Sequence, residues 1–238
     1  MSGHSHWKNI KRDKDADAKK RSLAFSKMGK LISLLAKEGG GDIEKNPALR
    51  STIEKAKEMN FPKEKIERAI KRGLGELESE SLEKFTFEAY GPEGAAIIVE
   101  GVSDNIKRSI SDFRSIVGNH GGKIAETGSV KWLFERAVAI EVEAEETETI
   151  ELLAIEAGAL DFQYKENRFI IYFPTKDIGK VNELLKQKGF DVLLSSLVWV
   201  PKNKFEISEE GRKKNFNLFR ALLDSEDIQD VFSNIKDR

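Results

Sequence analysis

Residues 1–41 read MSGHSHWKNIKRDKDADAKKRSLAFSKMGKLISLLAKEGGG, a short polar arm followed by a lysine-rich segment that ends in three glycines. From Ala16 to Lys37 the apolar residues recur at spacings of three and four, which predicts one buried face of an amphipathic helix. Gly39–Gly41 end this helix, because glycine tolerates the left-handed conformation found at helix ends. The residues predicted for the buried face are Ala24, Met28, Leu31, Ile32 and Leu35.

Two further helices are predicted before residue 76. Asn46 is a favourable N-cap with Pro47 in the first turn behind it, so the second helix begins there. The third helix begins near Pro62 and ends at Gly73. Residues 1–75 are therefore predicted to form a small helical bundle. The apolar faces of the second and third helices are formed by Leu49, Ile53, Ala56, Met59, Ile66, Ala69 and Ile70.

A second, α/β domain is predicted from residue 76 onward. After an acidic linker the apolar period changes from about 3.6 to 2, and a turn at Gly91–Gly94 joins two predicted strands into a hairpin. A helix capped by Ser103 and Asp104 and a strand over Val130–Phe134 follow. A helix and a strand near the C-terminus complete this domain, which we assign to residues 76–136 plus 204–238.

Residues 137–203 are predicted to form a third domain, inserted into the second. The expected order is strand, helix, two strands, helix, strand, with a hairpin between Phe162 and Phe173 and a helix capped by Thr175. That order is the ferredoxin-like plan. The sequence therefore predicts an α+β protein of three domains.

The charge is strongly divided along the chain. Residues 1–75 carry 19 Lys and Arg against 10 Asp and Glu, whereas the remainder carries 21 against 31. A basic end of this kind favours a polyanionic partner such as nucleic acid. The third domain is acidic, with 12 Asp and Glu against 7 Lys and Arg; a basic protein, ribosomal or other, is a candidate partner for it, and an ordinary solvated surface is the alternative.

Cations of the first helix and its arm are the main candidates for contacts with phosphate, which supplies most sequence-independent affinity for nucleic acid. A solvated helix face is the plainer interpretation of such a run. Trp7 lies among these cations, where it either stacks on an unpaired base or anchors the arm to the bundle. The candidates are Trp7, Lys8, Lys11, Arg12, Lys14, Lys19, Lys20, Arg21, Lys27 and Lys30.

The third helix offers a second set of cations, formed by Lys65, Arg68 and Arg72 on one face with Lys71 beside it. They either extend the basic surface or form the solvent side of an amphipathic helix, and the sequence favours neither.

Enzymatic chemistry finds little support in the sequence. The chain has no cysteine and only three histidines, and it lacks the HExxH, GxSxG and Walker patterns. We expect no cofactor and no metal site; a nuclease built from scattered Asp and Glu side chains is the remaining enzymatic alternative. No apolar run approaches the roughly 20 residues that span a bilayer, and no hydrophobic signal core opens the chain, so a cytoplasmic protein with no membrane partner is expected.

Four stretches resemble one known family: GHSHW (3–7), EGGGDIEKNPALRSTIEKAKEMNFPKEKIERAIKRGLGE (38–76), YGPEGAAIIVEGVSDNIKRS (90–109) and GGKIAETGSVKWLFER (121–136). Together they closely resemble the YebC/PmpR family. The similarity is weaker from residue 137 onward. The chain departs from the family pattern at Ile43, where proline is usual, and at Phe61, where methionine is usual; we expect small changes in helix entry angle.

The resemblance implies a three-domain, DNA-binding transcriptional regulator with no enzymatic activity. It also implies an alternative, because relatives are placed on the ribosome, where they ease translation of proline-rich sequences, and mitochondrial relatives are translational activators. The partner is then duplex DNA in the first case and ribosomal RNA in the second. The residues alone favour RNA slightly, because no helix-turn-helix or dimerising coiled coil is evident, whereas the usual description of the family favours DNA.

Overall fold

Three helices form the N-terminal bundle in the computed structural model, which describes residues 17–78, 81–143, 147–165, 168–177, 181, 183 and 192–236. The helices are α1 (Asp17–Gly39), α2 (Pro47–Glu58) and α3 (Lys63–Gly73). The predicted cap of α2 is confirmed: the Asn46 side-chain oxygen accepts a hydrogen bond from the Leu49 N–H at 3.1 Å. The Asn46 amide also donates to Leu35 O and Gly40 O, at 2.9 Å each, and so ties the end of α1 to the start of α2.

The residues of α1 that pack in the bundle core are shifted by about one position from the residues predicted for its buried face. Phe25 lies on the buried side, and its ring meets the Phe61 ring edge-on at a centroid distance of 4.9 Å. Phe61 is buried within the core rather than lying in a plain loop. The core also contains Met28, Ile32, Leu35, Ala36, Leu49, Ile53, Ala56, Ile66, Ala69 and Ile70.

Helices α1 and α3 approach very closely at Gly73. A Cβ atom at this position would lie 2.1 Å from the backbone oxygen of Ser33. The Ser33 hydroxyl donates to Ala69 O at 2.7 Å, which fixes the same contact one turn earlier. The absence of a side chain at residue 73 therefore sets the spacing of the two helices.

The second domain contains a four-stranded antiparallel sheet of order β3-β1-β2-β8. Its fourth strand comes from the C-terminal part of the chain, so the chain leaves this domain and returns to it. Helices α4 and α6 cover one face of the sheet, where Phe113, Val117, Leu218 and Leu222 form the core. The elements are β1 (Glu83–Tyr90), β2 (Ala96–Ser103), α4 (Ile106–Asn119), β3 (Lys123–Ile124), α6 (Glu209–Leu223) and β8 (Ile228–Ser233).

The third domain lies between these parts and has the predicted ferredoxin-like plan. Its antiparallel sheet has the order β5-β6-β4-β7, in which the first and third strands of the unit are central. Val181 and Glu183, in the segment before the last strand, are helical; the predicted extension of that helix to Lys188 lies outside the described residues. The elements are β4 (Phe134–Glu143), α5 (Thr147–Glu156), β5 (Asp161–Lys165), β6 (Arg168–Pro174) and β7 (Val192–Pro201).

The predicted strand over Val130–Phe134 is wrong. A short 3-10 turn covers Lys131–Leu133, and β4 begins only at Phe134. The reason is the buried carboxylate of Glu88, which accepts hydrogen bonds from the N–H groups of Gly128, Val130 and Lys131 at 2.6–2.8 Å. These donors are used in a loop and are not free to pair with a strand.

The predicted cap of α4 is also corrected. Asn105, and not Ser103 or Asp104, is the N-cap, and its side-chain oxygen accepts from the Arg108 N–H at 3.1 Å. The hydroxyl of Ser103 is turned inward instead, towards Asp227.

The two sheets pack against each other through an apolar layer that includes Ile98, Phe134 and Trp199. Glu100 lies at the edge of this layer. One of the Glu100 carboxylate oxygens accepts hydrogen bonds from Arg136 at 2.8 Å and from the Trp199 indole at 2.9 Å. The Arg136 guanidinium lies 4.9 Å from the Trp199 ring centroid, an attractive cation–π arrangement.

A buried carboxylate, Asp227, joins the bundle to the second domain. It accepts from Lys30 of α1 at 2.6 Å and from the hydroxyls of Ser103 and Ser109 at 3.1 and 2.7 Å. Arg108 adds a longer contact at 3.3 Å. Burial by itself raises the pKa of Asp227, but the hydrogen bonds from Lys30 and Ser109 and the Lys30 charge outweigh it and hold the pKa below its ordinary value.

We predict that Gly73→Ala destabilises the protein by about 1–3 kcal/mol, the usual cost of overpacking, because the new methyl group meets a backbone carbonyl that has no room to move. The measurement is the free energy of unfolding by urea. Gly118→Ala is the matched control, since Gly118 is also helical and its Cβ position is open; it is expected to be neutral or stabilising. Equal losses in both variants would contradict the close approach.

We predict that Asp227→Asn lowers stability at pH 7 by about 1–3 kcal/mol, the cost of leaving charged partners poorly satisfied. Because the folded-state pKa is depressed, the stabilisation by Asp227 is fully present above its unfolded pKa and disappears as pH falls through the lower folded value. The difference between the wild type and Asp227→Asn should therefore shrink below about pH 4. A difference that is independent of pH would show that the charge of Asp227 is not what stabilises the contact.

Candidate nucleic-acid interface

A groove of about 720 Å³ runs between α1 and α3 and is bordered by the linker that leads to β1. Its apolar floor includes Phe25, Phe61 and Ala69. The basic side chains that line it come from both helices, with Lys30 and Lys37 from α1 and Lys65, Arg68 and Arg72 from α3. A concave surface with cations on both sides fits a polyanion better than a small neutral ligand.

The α3 cations form one row. Lys65, Arg68 and Arg72 are spaced by three and four residues, so they share a helix face, and all three are exposed. Among the described residues none of the three takes part in a salt bridge, whereas the neighbouring Lys63 pairs with Glu67 at 3.8 Å. Their charges are therefore available to an incoming phosphate.

Phe25 brings cations of the two helices together. The Arg21 guanidinium lies 5.3 Å from the Phe25 ring centroid, and the Lys65 ammonium lies 5.4 Å from it. The aromatic ring attracts both cations and so holds like charges of α1 and α3 beside one another. Positive charge from both helices therefore lies close to the Phe25 ring, at the edge of the groove.

In the structure Lys27 and Lys30 form contacts with the second domain, whereas the sequence suggested contacts with phosphate. Lys27 is buried and donates to Leu223 O at the end of α6 at 2.5 Å, and burial lowers its pKa to about 8. Lys30 forms the ion pair with Asp227, at 2.6 Å. Helix carbonyls at a C-terminus and a buried carboxylate are both favourable partners for a lysine. Both lysines therefore hold the bundle on the second domain, and the contact with phosphate predicted for them stays a prediction.

The remaining predicted residues fall into three groups. Lys20 is half-buried next to Arg21 on α1, and Lys71 is exposed on α3 outside the groove lining. Lys19 belongs to α1. The other five candidates lie outside the described residues: Trp7, Lys8, Lys11, Arg12 and Lys14.

Sequence reasoning missed Phe25 and Lys37 as parts of the groove. Lys37 donates to the Ser81 hydroxyl at 2.9 Å and to Leu82 O at 3.2 Å, which closes one end of the groove against the linker. The signal for Phe25 was present, since Phe25, Met28 and Ile32 follow the same three-and-four spacing. No local signal in the sequence indicated Lys37, because its partners lie 44 and 45 residues away in the sequence.

Other kinds of site are not visible in the described part of the chain. No group of three or more His, Asp or Glu side chains is placed to hold a metal ion there. Within the same residues, every helix is too short or too polar to cross a bilayer.

The fold and the groove define a class: a three-domain protein in which a basic helical bundle is fixed to two packed α/β domains. Two family models match nearly the whole chain. One, described as the TACO1/YebC protein N-terminal domain, covers residues 5–76, and the other, described as the TACO1/YebC second and third domain, covers residues 82–235. The chain belongs to the TACO1/YebC family.

Its relatives carry a regulatory name. The chain is 41% identical over 239 residues to a "Probable transcriptional regulatory protein" of Halothermothrix orenii, covering 98% of this chain and 94% of that protein. It is 43% identical over 237 residues to a protein of the same name from Petrotoga mobilis, covering 98% and 94%. The crystal structure of a conserved hypothetical protein from Aquifex aeolicus superposes with a TM-score of 0.83 at 40% identity, covering 97% and 96%.

A stability experiment should distinguish the basic residues that join the domains from those that are exposed in the groove. We expect Lys30→Gln to lower the free energy of unfolding by about 1–3 kcal/mol, because it removes the charged partner of Asp227. Arg68→Gln should change it by less than about 0.5 kcal/mol, as exposed, unpaired side chains usually do. Urea denaturation at pH 7 measures both; the assignment of Lys30 to the domain contact is rejected when the two variants behave alike.

Proposed function

We propose that this protein is a non-enzymatic, nucleic-acid-binding regulator of gene expression, and that it binds duplex DNA in the control of transcription. The observation that carries the proposal is the groove between α1 and α3, which Lys65, Arg68 and Arg72 line. Arg21 lies beside it at the Phe25 ring, and the carboxylate among the described lining residues, Asp104, is paired with Arg108. The regulatory name of the relatives supports the same assignment.

Electrostatics supports binding through this face. Each phosphate that a lysine or arginine neutralises releases condensed counterions, so a row of unpaired cations gives affinity that does not depend on base sequence. The acidic domains should be repelled by the polymer. The contacts of Asp227 join the bundle to the second domain, and those of Glu100 join the second domain to the third. We propose that these contacts orient the protein on its target. We also propose that the protein acts in the cytoplasm.

Ribosomal RNA is the second candidate partner. The observation in its favour is the acidic third domain, since a target made of both nucleic acid and basic proteins matches a molecule with one basic and one acidic face. In this case the groove binds RNA phosphate by the same chemistry, and the protein regulates translation.

The groove is tested by the combined substitution Lys65→Gln, Arg68→Gln and Arg72→Gln. We expect duplex DNA affinity to fall at least about tenfold, and the slope of log Kobs against log salt to become shallower by about 2–3, since each lost phosphate contact contributes about 0.9. Fluorescence anisotropy with a labelled duplex at several salt concentrations gives both quantities.

The matched control changes Lys107, Arg114 and Lys213 to Gln, which removes the same charge from exposed sites of the second domain. This control should keep the wild-type affinity and slope. Equal losses in the two triple variants would show that only net charge matters, and the groove would not be the binding site.

A competition separates DNA from the ribosome. Labelled protein is offered purified ribosomes together with a large excess of genomic duplex DNA at about 150 mM salt, where screening suppresses loose surface attraction. Retention on DNA supports transcriptional control. Transfer of the wild type to ribosomes, and failure of the groove variant to transfer, would replace the transcriptional assignment by the translational one.

A further inference from the structure

Four large apolar side chains are exposed within thirteen residues of the third domain. The exposed fractions are 62% for Leu152, 64% for Ile155, 39% for Leu160 and 41% for Tyr164. Single exposed apolar residues are ordinary on a protein surface, whereas a concentration of them marks a contact site.

These side chains lie on two adjacent elements at one edge of the domain. Helix α5 buries Ile150, Leu153 and Ala154 against the sheet, so Leu152 and Ile155 lie on its outer side, three residues apart. A turn with Gly158 at φ +78° leads directly into β5, which carries Tyr164 and is an edge strand of its sheet. The exposed apolar ridge of α5 therefore lies beside the edge strand of the sheet.

The segment of chain that carries this ridge is acidic in sequence, and two of its carboxylates, Glu141 and Asp161, are paired with Arg168 and Lys204. From Ala137 to Tyr164 the chain contains seven Glu and one Asp and no Lys or Arg. Glu151 and Glu156 flank the two exposed side chains of α5, and neither forms a salt bridge among the described residues. Such a surface repels nucleic acid, and it complements a segment that combines apolar side chains with lysine or arginine.

We propose that the outer side of α5, formed by Glu151, Leu152, Ile155 and Glu156, binds a basic amphipathic segment of a partner protein. The apolar side chains of that segment cover Leu152 and Ile155, and its cations pair with the two glutamates. The site is separate from the α1–α3 groove and functions whether or not the groove binds nucleic acid. It gives the protein a second, oppositely charged contact.

The test uses the full chain and a labelled 18-residue helical peptide of leucine and lysine as the probe, followed by fluorescence anisotropy at about 150 mM salt. The wild type is expected to bind saturably. Two variants should each weaken binding at least about tenfold: Leu152→Ser with Ile155→Ser, and Glu151→Lys with Glu156→Lys. Because the second variant leaves the apolar side chains unchanged, it also tests the site if the first fails to fold.

Matched controls carry equal changes at other exposed positions. Asp112→Lys with Glu126→Lys repeats the charge change, and Leu77→Ser with Ile110→Ser repeats the apolar change. Both should bind the peptide as the wild type does. The proposal is overturned if the controls lose as much affinity as the site variants, or if the peptide does not bind.

Sedimentation velocity tests the remaining alternative, in which the ridge binds a second copy of this chain. If the wild type self-associates and Leu152→Ser with Ile155→Ser abolishes that association, the ridge is an interface between copies of this chain, and the assignment to a basic partner is rejected. We expect the sedimentation coefficient to be the same for both proteins over a wide concentration range. A failure here leaves the groove experiments on DNA unaffected, because those variants lie on α3.

Discussion

The buried carboxylate of Asp227 is the interaction on which the arrangement of the molecule depends. It lies where α1, β2, α4 and the start of β8 meet, and it accepts hydrogen bonds from Lys30, Ser103 and Ser109. A buried charge is costly unless it is paired and hydrogen-bonded, so this carboxylate favours only the arrangement in which all of these elements are in place. Lys27, which donates to Leu223 O, reinforces the same contact, and together they hold the bundle at one angle to the sheet.

This contact divides the basic residues of the bundle into two sets. Lys27 and Lys30 lie on the side of α1 that faces the second domain, where their charges are used internally. Lys65, Arg68 and Arg72 line the groove that Lys30 borders from the other helix, and the Phe25 ring draws Arg21 and Lys65 together. The near-neutral total charge of −1 thus results from a basic bundle whose excess of positive charge is offset by the acidic second and third domains together. A regulator with two oppositely charged faces is able to contact nucleic acid and protein at once.

Much of the fold follows from local signals in the sequence. The three-and-four spacing in α1, the cap at Asn46, the hairpin at Gly91–Gly94 and the ferredoxin-like order of the third domain all appear in the structure, because helix and strand periods are properties of short segments. The role of Lys30, in contrast, does not follow from a local signal. Its partner Asp227 lies 197 residues away, and no local pattern shows that a second domain packs on that side of α1. Glu88 likewise turns an apparent strand into a loop by binding N–H groups 40 to 43 residues further on. For the groove, the row of cations on α3 could be predicted from the sequence. The approach of Arg21 and Lys65 to the same Phe25 ring could not.

Lysine footprinting by acetylation and mass spectrometry, with and without saturating nucleic acid, tests the division of the basic residues most directly. The account predicts that Lys65 reacts readily in the free protein and is protected in the complex, while Lys27 is unreactive in both states because it is buried. It would be contradicted if Lys65 reacted equally in both states. It would also be contradicted if Lys27 reacted in the free protein and became protected on binding, since the bundle would then bind nucleic acid through the surface that the structure places against the second domain.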